Sequence, residues 1–505
     1  MTQIRNGIID IGSNSIRLVI YERTLSGANR VIDGSKRPAR LSEKIDADGK
    51  LPESTIRQLV GTLNHFKLIC SHQGVTSIRA VATAAIRNSA NRDEVLTMLE
   101  RETELPIELL SGEQEAEFGF LGMLSTLDIQ DGLLVDIGGG STELTLFRNR
   151  ERLRSISFPF GCVNLNRRFM ENGMMSDKSL SELEQHVQGM LQRESWISEA
   201  AGLPVIGIGG TARAFGKTHQ GSTDYPFTQT HNYPIAAAEG ERLLAQLRAL
   251  PLDKRKKFPG LSKDRADLIV PGLAALQTIL RFSGGSGYLI CGAGLRDGLF
   301  LQSGLISRDM LQDVLAYSID NLGALHPEAP PVHVEQVHRM AMQLFDTTGR
   351  HYSYPARARR WMEAASRLFR IGASIDYYKY AQHSFYLIMN THLNGMSHRE
   401  IILTAAIASY KNKGKAKQAI QPYLAILEAE DLEHICRLGT LLQLAVALDR
   451  SEAQTIRKLQ IDLTPPLLTL RPLETTTTLE VERREIDAMA DDFKKIWQLS
   501  PVLQR

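Results

Sequence analysis

Two short stretches carry the residue types that grip phosphate. Ile8-Ile9-Asp10-Ile11-Gly12-Ser13-Asn14-Ser15 and Leu134-Val135-Asp136-Ile137-Gly138-Gly139-Gly140-Ser141-Thr142 each run from an aliphatic segment through an aspartate into Gly, Ser, Asn or Thr. A second aliphatic segment follows each, Ile16 to Ile20 and Leu144 to Phe147, so the pattern predicts strand, tight turn, strand. Glycine has no Cβ and reaches φ > 0, which lets such a turn aim successive N–H groups and hydroxyls at an anion. A carboxylate at the strand end can hold a divalent cation against phosphate oxygens. One such stretch is an ordinary turn; two in equivalent contexts suggest two similar halves facing one cleft. Gly207-Ile208-Gly209-Gly210-Thr211 and Gly292-Ala293-Gly294-Leu295-Arg296-Asp297-Gly298 also follow aliphatic runs. Four turns of this kind point to an α/β protein that grips a nucleotide or phosphate.

Cleaving a phosphoanhydride requires an in-line water, neutralisation of the phosphoryl charge and a group that takes the water's proton. Arg87, after Thr83-Ala84-Ala85-Ile86, is a candidate anion clamp, because a guanidinium can meet phosphate bidentately. Glu115 is a candidate base: an unperturbed carboxylate, with a pKa of about 4.3, is ionised at neutral pH. Glu143, next to Ser141-Thr142, could orient water or metal. Taken singly, Arg87 reads as an exposed helix-start arginine and Glu115 as a surface helix glutamate. Helical spacing sets Glu113 and Glu115 about 200° apart, so at most one points into a cleft.

These residues need elements to hold them. The first hairpin continues to Tyr21, turns near Ser26 to Asn29 and returns through Val31 and Ile32, with a third strand expected near Ala39 to Ser42. Ile56, Leu59, Val60, Leu63 and Phe66 have helical spacing; Ile78 to Thr83 reads as a buried strand, Glu94 to Glu102 as a helix and Ile107 to Leu110 as a strand. That is the order of a ribonuclease H-like half. A second half starts near Gly132, with a helix from Asp177 to Arg193, a strand from Pro204 to Ile208, helices at Ala236 to Leu250 and Leu268 to Phe282, and a strand from Tyr288 to Cys291. Beyond Arg308 helical periodicity dominates, after a linker at Pro327, Pro330 and Pro331. Leu459 to Leu463, Leu467 to Leu470 and Thr478 to Val481 read as strands of a small final sheet, followed by a helix from Ile486. The expected layout is two ribonuclease H-like lobes, 1–130 and 131–305, an all-helical domain, 306–430, and a small α+β domain, 431–505.

At 505 residues the chain exceeds one hydrophobic core. It starts directly into a strand, and no apolar run approaches the ~18 residues of a membrane helix. Cys70, Cys162, Cys291 and Cys436 match no zinc or redox spacing and read as reduced core residues. The cytoplasm is the expected location. A net charge of +2 says little, but Lys254 to Lys257, Arg357/Arg359/Arg360 and Lys411/Lys413/Lys415/Lys417 are dense basic clusters that favour a polyanionic partner.

The segments DIGSNS at 10 to 15, TAAIR at 83 to 87, SGEQEA at 111 to 116, DIGGGSTE at 136 to 143, GIGGTAR at 207 to 213 and GLRDG at 294 to 298 together resemble the exopolyphosphatase/guanosine pentaphosphate phosphohydrolase family. That family belongs to the sugar kinase, actin and heat-shock chaperone ATPase superfamily. The likeness is strong to about residue 305 and looser beyond. It implies that Glu115 activates the attacking water, that Asp10 and Asp136 hold Mg2+ with Glu143 supporting metal or water, and that the turns Gly12-Ser13-Asn14-Ser15 and Gly138-Gly139-Gly140-Ser141-Thr142 bind terminal phosphates with Arg87. Gly209, Gly210 and Thr211 fall where the superfamily holds its nucleotide. Lys411, Lys413 and Lys415 would contact a longer chain, and a homodimer is expected.

In longer family members the third domain resembles an HD-type metal-dependent phosphohydrolase. Here the matching stretch, Arg367-Leu368-Phe369-Arg370-Ile371-Gly372, supplies neither metal ligand, so the domain is expected to be a scaffold. The leading function is removal of orthophosphate from the end of inorganic polyphosphate. The alternatives are hydrolysis of guanosine pentaphosphate to tetraphosphate, a small-molecule kinase, for which no acceptor motif is evident, and a non-enzymatic sensor of guanosine tetraphosphate. Neither nucleic acid nor membrane is an expected partner.

Overall fold

Ile9, Ile11, Ile16, Leu18 and Ile20 are buried on one face and Ile8 and Val19 on the other, and this β-branched and aliphatic density on both faces makes the first stretch a central hairpin rather than an edge. The computed structural model describes residues 3–305, 311–476 and 478–504, in two units, Met1–Val314 and Leu315–Arg505. In the first unit, strands β1 (Ile4–Ile11), β2 (Ser15–Arg23), β3 (Asn29–Pro38), β4 (Ser77–Ala82) and β5 (Ile107–Leu109) form a sheet of order β3-β2-β1-β4-β5. The first three are antiparallel, and β4 and β5 run parallel to β1. A parallel return needs a crossover, supplied by the helix Glu53–His72, whose Ile56, Leu59, Leu63, Phe66 and Cys70 pack against the hairpin.

The second lobe repeats the plan. Strands β6 (Gly132–Ile137), β7 (Thr142–Arg148), β8 (Glu151–Phe158), β9 (Pro204–Ile208), β10 (Tyr233–Ala236) and β11 (Gly287–Ile290) lie in the order β10-β11-β9-β6-β7-β8. This is the first sheet again with β11 in the place of β5 and an added antiparallel edge, β10. Helices Asp177–Leu191 and Ile269–Ser283 cover it through Leu183, Val187, Leu273 and Leu276. The third strand expected near Ala39 to Ser42 is not there. Pro38 ends β3, the N–H groups of Ala39 and Arg40 turn to the Asn14 carbonyl, and a short helix, Leu41–Lys44, follows.

The lobes join where the helix Gly112–Leu124 crosses the helix Leu295–Phe300. A Cβ on Gly122 would lie 2.2 Å from the Gly294 carbonyl oxygen, and one on Gly298 would lie 2.0 Å from that of Phe118. Backbone meets backbone here, which only glycine permits. Tyr21 of the first sheet stacks on Phe300 at 4.1 Å.

In the second unit the helices Pro331–Thr348, Ala358–Leu368, Tyr380–Asn390, His398–Ala408 and Asp431–Ala447 form the helical part. Pro331 occupies the first helical position, where its missing N–H costs nothing, so this proline of the expected linker opens a helix. Strands β12 (Ile456–Thr464), β13 (Leu467–Thr475) and β14 (Ser500–Leu503) make the small sheet. The strand expected at Thr478 to Val481 is corrected: a helix, Glu480–Trp497, starts there and buries Glu482, Ile486, Phe493 and Trp497 on one face. That apolar stripe overrides the β-preference of the threonines. All four cysteines are free and buried, and among the described residues no helix is long and apolar enough to cross a membrane.

Gly298→Ala tests the crossing. Forcing a methyl into the Phe118 carbonyl should cost about 1–3 kcal/mol, read as a lowered denaturation midpoint, whereas alanine at Gly189, a helical glycine with open space, should leave stability unchanged or raise it by up to about 1 kcal/mol.

Candidate active site

Both Asp-x-Gly stretches become hairpin turns closed by the same bond. The Gly12 N–H donates to the Ser15 carbonyl at 3.2 Å, and the Gly138 N–H to the Ser141 carbonyl at 2.9 Å. The turns touch directly: a Cβ on Gly139 would lie 2.9 Å from that of Ser13 and 3.3 Å from the Asn14 nitrogen. One cleft is lined by Asp10, Gly12, Ser13, Asn14 and Ser15 from the first lobe and Asp136, Gly138, Gly139, Ser141, Gly209 and Gly210 from the second. Gly209 has φ 76°, and a Cβ there would lie 1.9 Å from an Asp136 carboxylate oxygen, so glycine is obligatory beside that aspartate.

Three residues of these turns are placed differently from expectation. Thr142 is fully buried and its hydroxyl donates to the Phe160 carbonyl at 2.7 Å; Thr211 is 3% exposed and its hydroxyl donates to the Ile137 carbonyl at 2.8 Å. Neither hydroxyl is open to an anion. Gly140 faces Ser13 and Ser42 rather than the cleft. The two threonine hydroxyls fasten the turns to neighbouring strands and loops.

Glu115 lines the cleft in the first turn of its helix, whose start is fixed by a capping box between Ser111 and Gln114. Glu113 points away and stays three-quarters exposed. Arg87 does not line the cleft. Its guanidinium is bonded to the Glu115 carboxylate and donates to the Leu110 carbonyl at 2.7 Å, so it holds Glu115 rather than standing open as a clamp. Glu143 lies buried behind, accepting from the Ser157 hydroxyl at 2.7 Å. Burial first, then the Glu143 charge, raises the Glu115 carboxyl well above the ordinary carboxylate value, against the pull of Arg87. Burial and Asp136 raise Glu143 to about 7; burial, against the opposing pull of Arg213, raises Asp136 to about 6. Asp10 is raised too, by burial, with Arg296, Arg17 and Arg213 opposing.

Four arginines missed in the sequence line the same cleft: Arg17, Arg213, Arg265 and Arg296. Burial and the repulsion of Arg296 and Arg213 lower Arg17 to about 10, the mark of like charges packed where an anion is wanted. The signal for Arg17 was available. It faces Asp10 across β1 and β2 as Glu143 faces Asp136 across β6 and β7, so the repeat that pointed to Glu143 also points to Arg17. Arg213 and Arg296 stand inside quoted motifs. Arg265, in an irregular turn, has no such signal.

Mg2+ takes one or two carboxylates and fills its octahedron with water and phosphate oxygens. Asp10 and Asp136, hard oxygen donors in one cleft, fit that need; among the described residues there is no cluster of three or more His, Cys, Asp or Glu placed as an all-protein cage.

Of the basic clusters, Arg255 is fully buried and bonded to the carbonyls of Leu250, Ala266 and Gly173, Arg357 pairs with Glu400, and Arg359 with Asp346. These are structural. Lys411, Lys413, Lys415 and Lys417, in the second unit, are exposed. There too, Phe369 is buried edge-on to His333, and Arg370 pairs with Glu452 at 2.7 Å.

The raised carboxyls have a stability signature. Glu143, with a folded value near 7, binds its proton more tightly folded than unfolded, so its burial costs little below about pH 4.5, progressively more as pH rises through the interval to about 7, and a constant maximum above it. Without divalent cation, Glu143→Gln should raise the melting temperature relative to the parent at pH 8 and by clearly less at pH 5, read by thermal unfolding.

The Ppx/GppA phosphatase family model matches residues 19–305, more than half of the chain, and the model for domain III of the same family matches residues 328–482. The crystal structure of the Aquifex aeolicus family member is 25% identical, with a TM-score of 0.52, over 60% of this chain and 98% of that one. An exopolyphosphatase from Cytophaga hutchinsonii is 23% identical, with a TM-score of 0.56, over 60% of this chain and 99% of that one. With its two lobes, paired glycine turns and carboxylate-lined cleft, this chain belongs to the Ppx/GppA phosphatase family.

Proposed function

We propose that the protein is an exopolyphosphatase that hydrolyses the terminal phosphoanhydride of inorganic polyphosphate. The carrying observation is the composition of the cleft wall: glycine-turn amides, serine hydroxyls and four guanidiniums, with no aromatic side chain among the residues that line it. A nucleobase is ordinarily held by stacking on an aromatic ring. A wall that combines these anion donors with the carboxylates of Asp10, Asp136, Glu115 and Asp297, and offers no ring to stack on, suits a metal-assisted ligand that is phosphate throughout. Guanosine pentaphosphate is the second reading, supported by the same donors acting on its terminal phosphates. The family resemblance and the similarity to a protein described as an exopolyphosphatase support the first.

In this reading the chain end lies between the Gly12 and Gly138 turns with Arg17, Arg213, Arg265 and Arg296 on its oxygens. Mg2+, held by Asp10 and Asp136 when bound, would neutralise phosphoryl charge. Glu115 takes the proton from the in-line water; its raised affinity for protons suits that step, and Arg87 aims the carboxylate. Glu143, anchored by Ser157, supplies a second negative charge that keeps Glu115 basic.

Glu115→Gln should lower phosphate release by about 10²- to 10⁴-fold while leaving polyphosphate affinity within a few-fold; retained turnover would transfer the base role elsewhere. Release from long-chain polyphosphate should exceed release from guanosine pentaphosphate, both requiring Mg2+; the reverse preference would favour the second reading. Charge reversal at Lys411, Lys413 and Lys415 should weaken long chains more than tripolyphosphate, and equal effects on all lengths would remove these lysines from the substrate path.

A further inference from the structure

Arg40 does not line the cleft and belongs to none of the glycine motifs, yet it touches both lobes. Its backbone is left-handed, φ 47° and ψ 45°, a region few non-glycine residues occupy. Such a conformation persists where surrounding bonds impose it. Here they are bonds to the phosphate turn: the Arg40 N–H donates to the Asn14 carbonyl at 3.0 Å, Ala39 to the same oxygen at 3.1 Å, and the Ser42 N–H to the Ser13 carbonyl at 3.4 Å. Residues 39 to 42 therefore brace the Ser13–Asn14 turn from behind.

The side chain of Arg40 reaches the other lobe, 2.8 Å from Oδ2 of Asp267. The second oxygen of Asp267, Oδ1, is buried with no hydrogen-bond partner among the described residues. Arg40 is the guanidinium in direct contact with this carboxylate, whose charge also acts on the buried Arg255. Three positions earlier, Asp264 is paired with Lys36 of β3, a second strap between the same elements. Arg265 stands between the two acids in the chain, and its guanidinium lies against Gly210 in the cleft, where a Cβ on Gly210 would be 2.1 Å from Nη2.

We propose that Arg40 is a positioning residue that couples the Ser13–Asn14 turn of the first lobe to Arg265 of the second, so that turn and guanidinium grip one phosphate chain end together. Its backbone holds the turn, its guanidinium holds Asp267, and Asp267 fixes the segment that carries Arg265. Loss of the link lowers affinity and leaves the chemical step, which belongs to Glu115, largely untouched. This inference rests on the cleft being a phosphoanhydride site.

The test is a calorimetric titration with tripolyphosphate of the parent protein, Arg40→Gly, Asp267→Asn and the exchange Arg40→Glu/Asp267→Arg. Glycine retains the N–H and suits the left-handed backbone, so Arg40→Gly removes the side chain, with its ion pairs to Asp267 and to Glu43 of the same lobe, and keeps the backbone bonds to the turn. Each single variant should bind roughly tenfold more weakly, within the range typical of coupled sites. The exchange should recover at least half of that loss, which shows that the two side chains act as a pair. In turnover the loss should fall on KM, with kcat changed less than about twofold. Parent affinity in both single variants, or an exchange whose loss is the product of the two, overturns the coupling while leaving the phosphate site standing. Failure of the parent itself to bind tripolyphosphate overturns the reading of the cleft and the coupling with it. Should Arg40→Gly prove unfolded by thermal scan, Asp267→Asn and the exchange decide the matter by the same criteria.

Discussion

The site depends on the approach of two backbones with no side chain between them. The Gly139 turn meets the Ser13–Asn14 turn at van der Waals distance, and Gly161 in turn lies against Gly139, where a Cβ would be 2.5 Å from its carbonyl carbon. Everything else in the first unit serves that approach. The sheets end in these turns, the glycine crossing at Gly122 and Gly298 sets the angle between lobes, and Thr142 and Thr211 use their hydroxyls to fasten turn to strand. A donor array built from main chain has no rotamers to freeze when an anion arrives, so little ordering entropy opposes binding.

The electrostatics follow from that geometry. Bringing two aspartates, two glutamates and four arginines into one dry space costs desolvation for each, and the burial-raised carboxyls and the lowered Arg17 and Arg213 record it. Charges held apart from their best partners by a fixed frame are available to substrate instead of to each other.

The motifs at 10 and 136 were legible because they are local: strand, turn and strand are set by neighbouring residues, and the repeat announces the pseudosymmetry. Glu115 was separable from Glu113 because a helix has one face per direction, and the structure turns Glu115 inward and Glu113 outward. What stayed hidden was set by distant partners. Nothing near Arg265 says that a turn after Ser262 meets Gly210, and nothing near Arg87 says that its guanidinium is taken by a carboxylate 28 positions on. The charge clusters depend on distant partners too: Arg255 is buried and bonded to carbonyls, and Arg357 and Arg359 pair with Glu400 and Asp346 at the surface. Thr478 to Val481 suggested a strand because propensity is read residue by residue, whereas the apolar stripe of the helix that starts at Glu480 is read over several turns.

One contrast between the two hairpins gives the cleft a direction. The partner of Asp10 across its hairpin is Arg17, whereas the partner of Asp136 across the equivalent hairpin is Glu143. A duplicated frame has thus kept its acid at the strand end and taken opposite signs at the position opposite. The first lobe therefore opens a cation, Arg17, onto the cleft, while the second keeps its acid, Glu143, buried behind the turn, so two halves of one plan meet the same space with unequal charge.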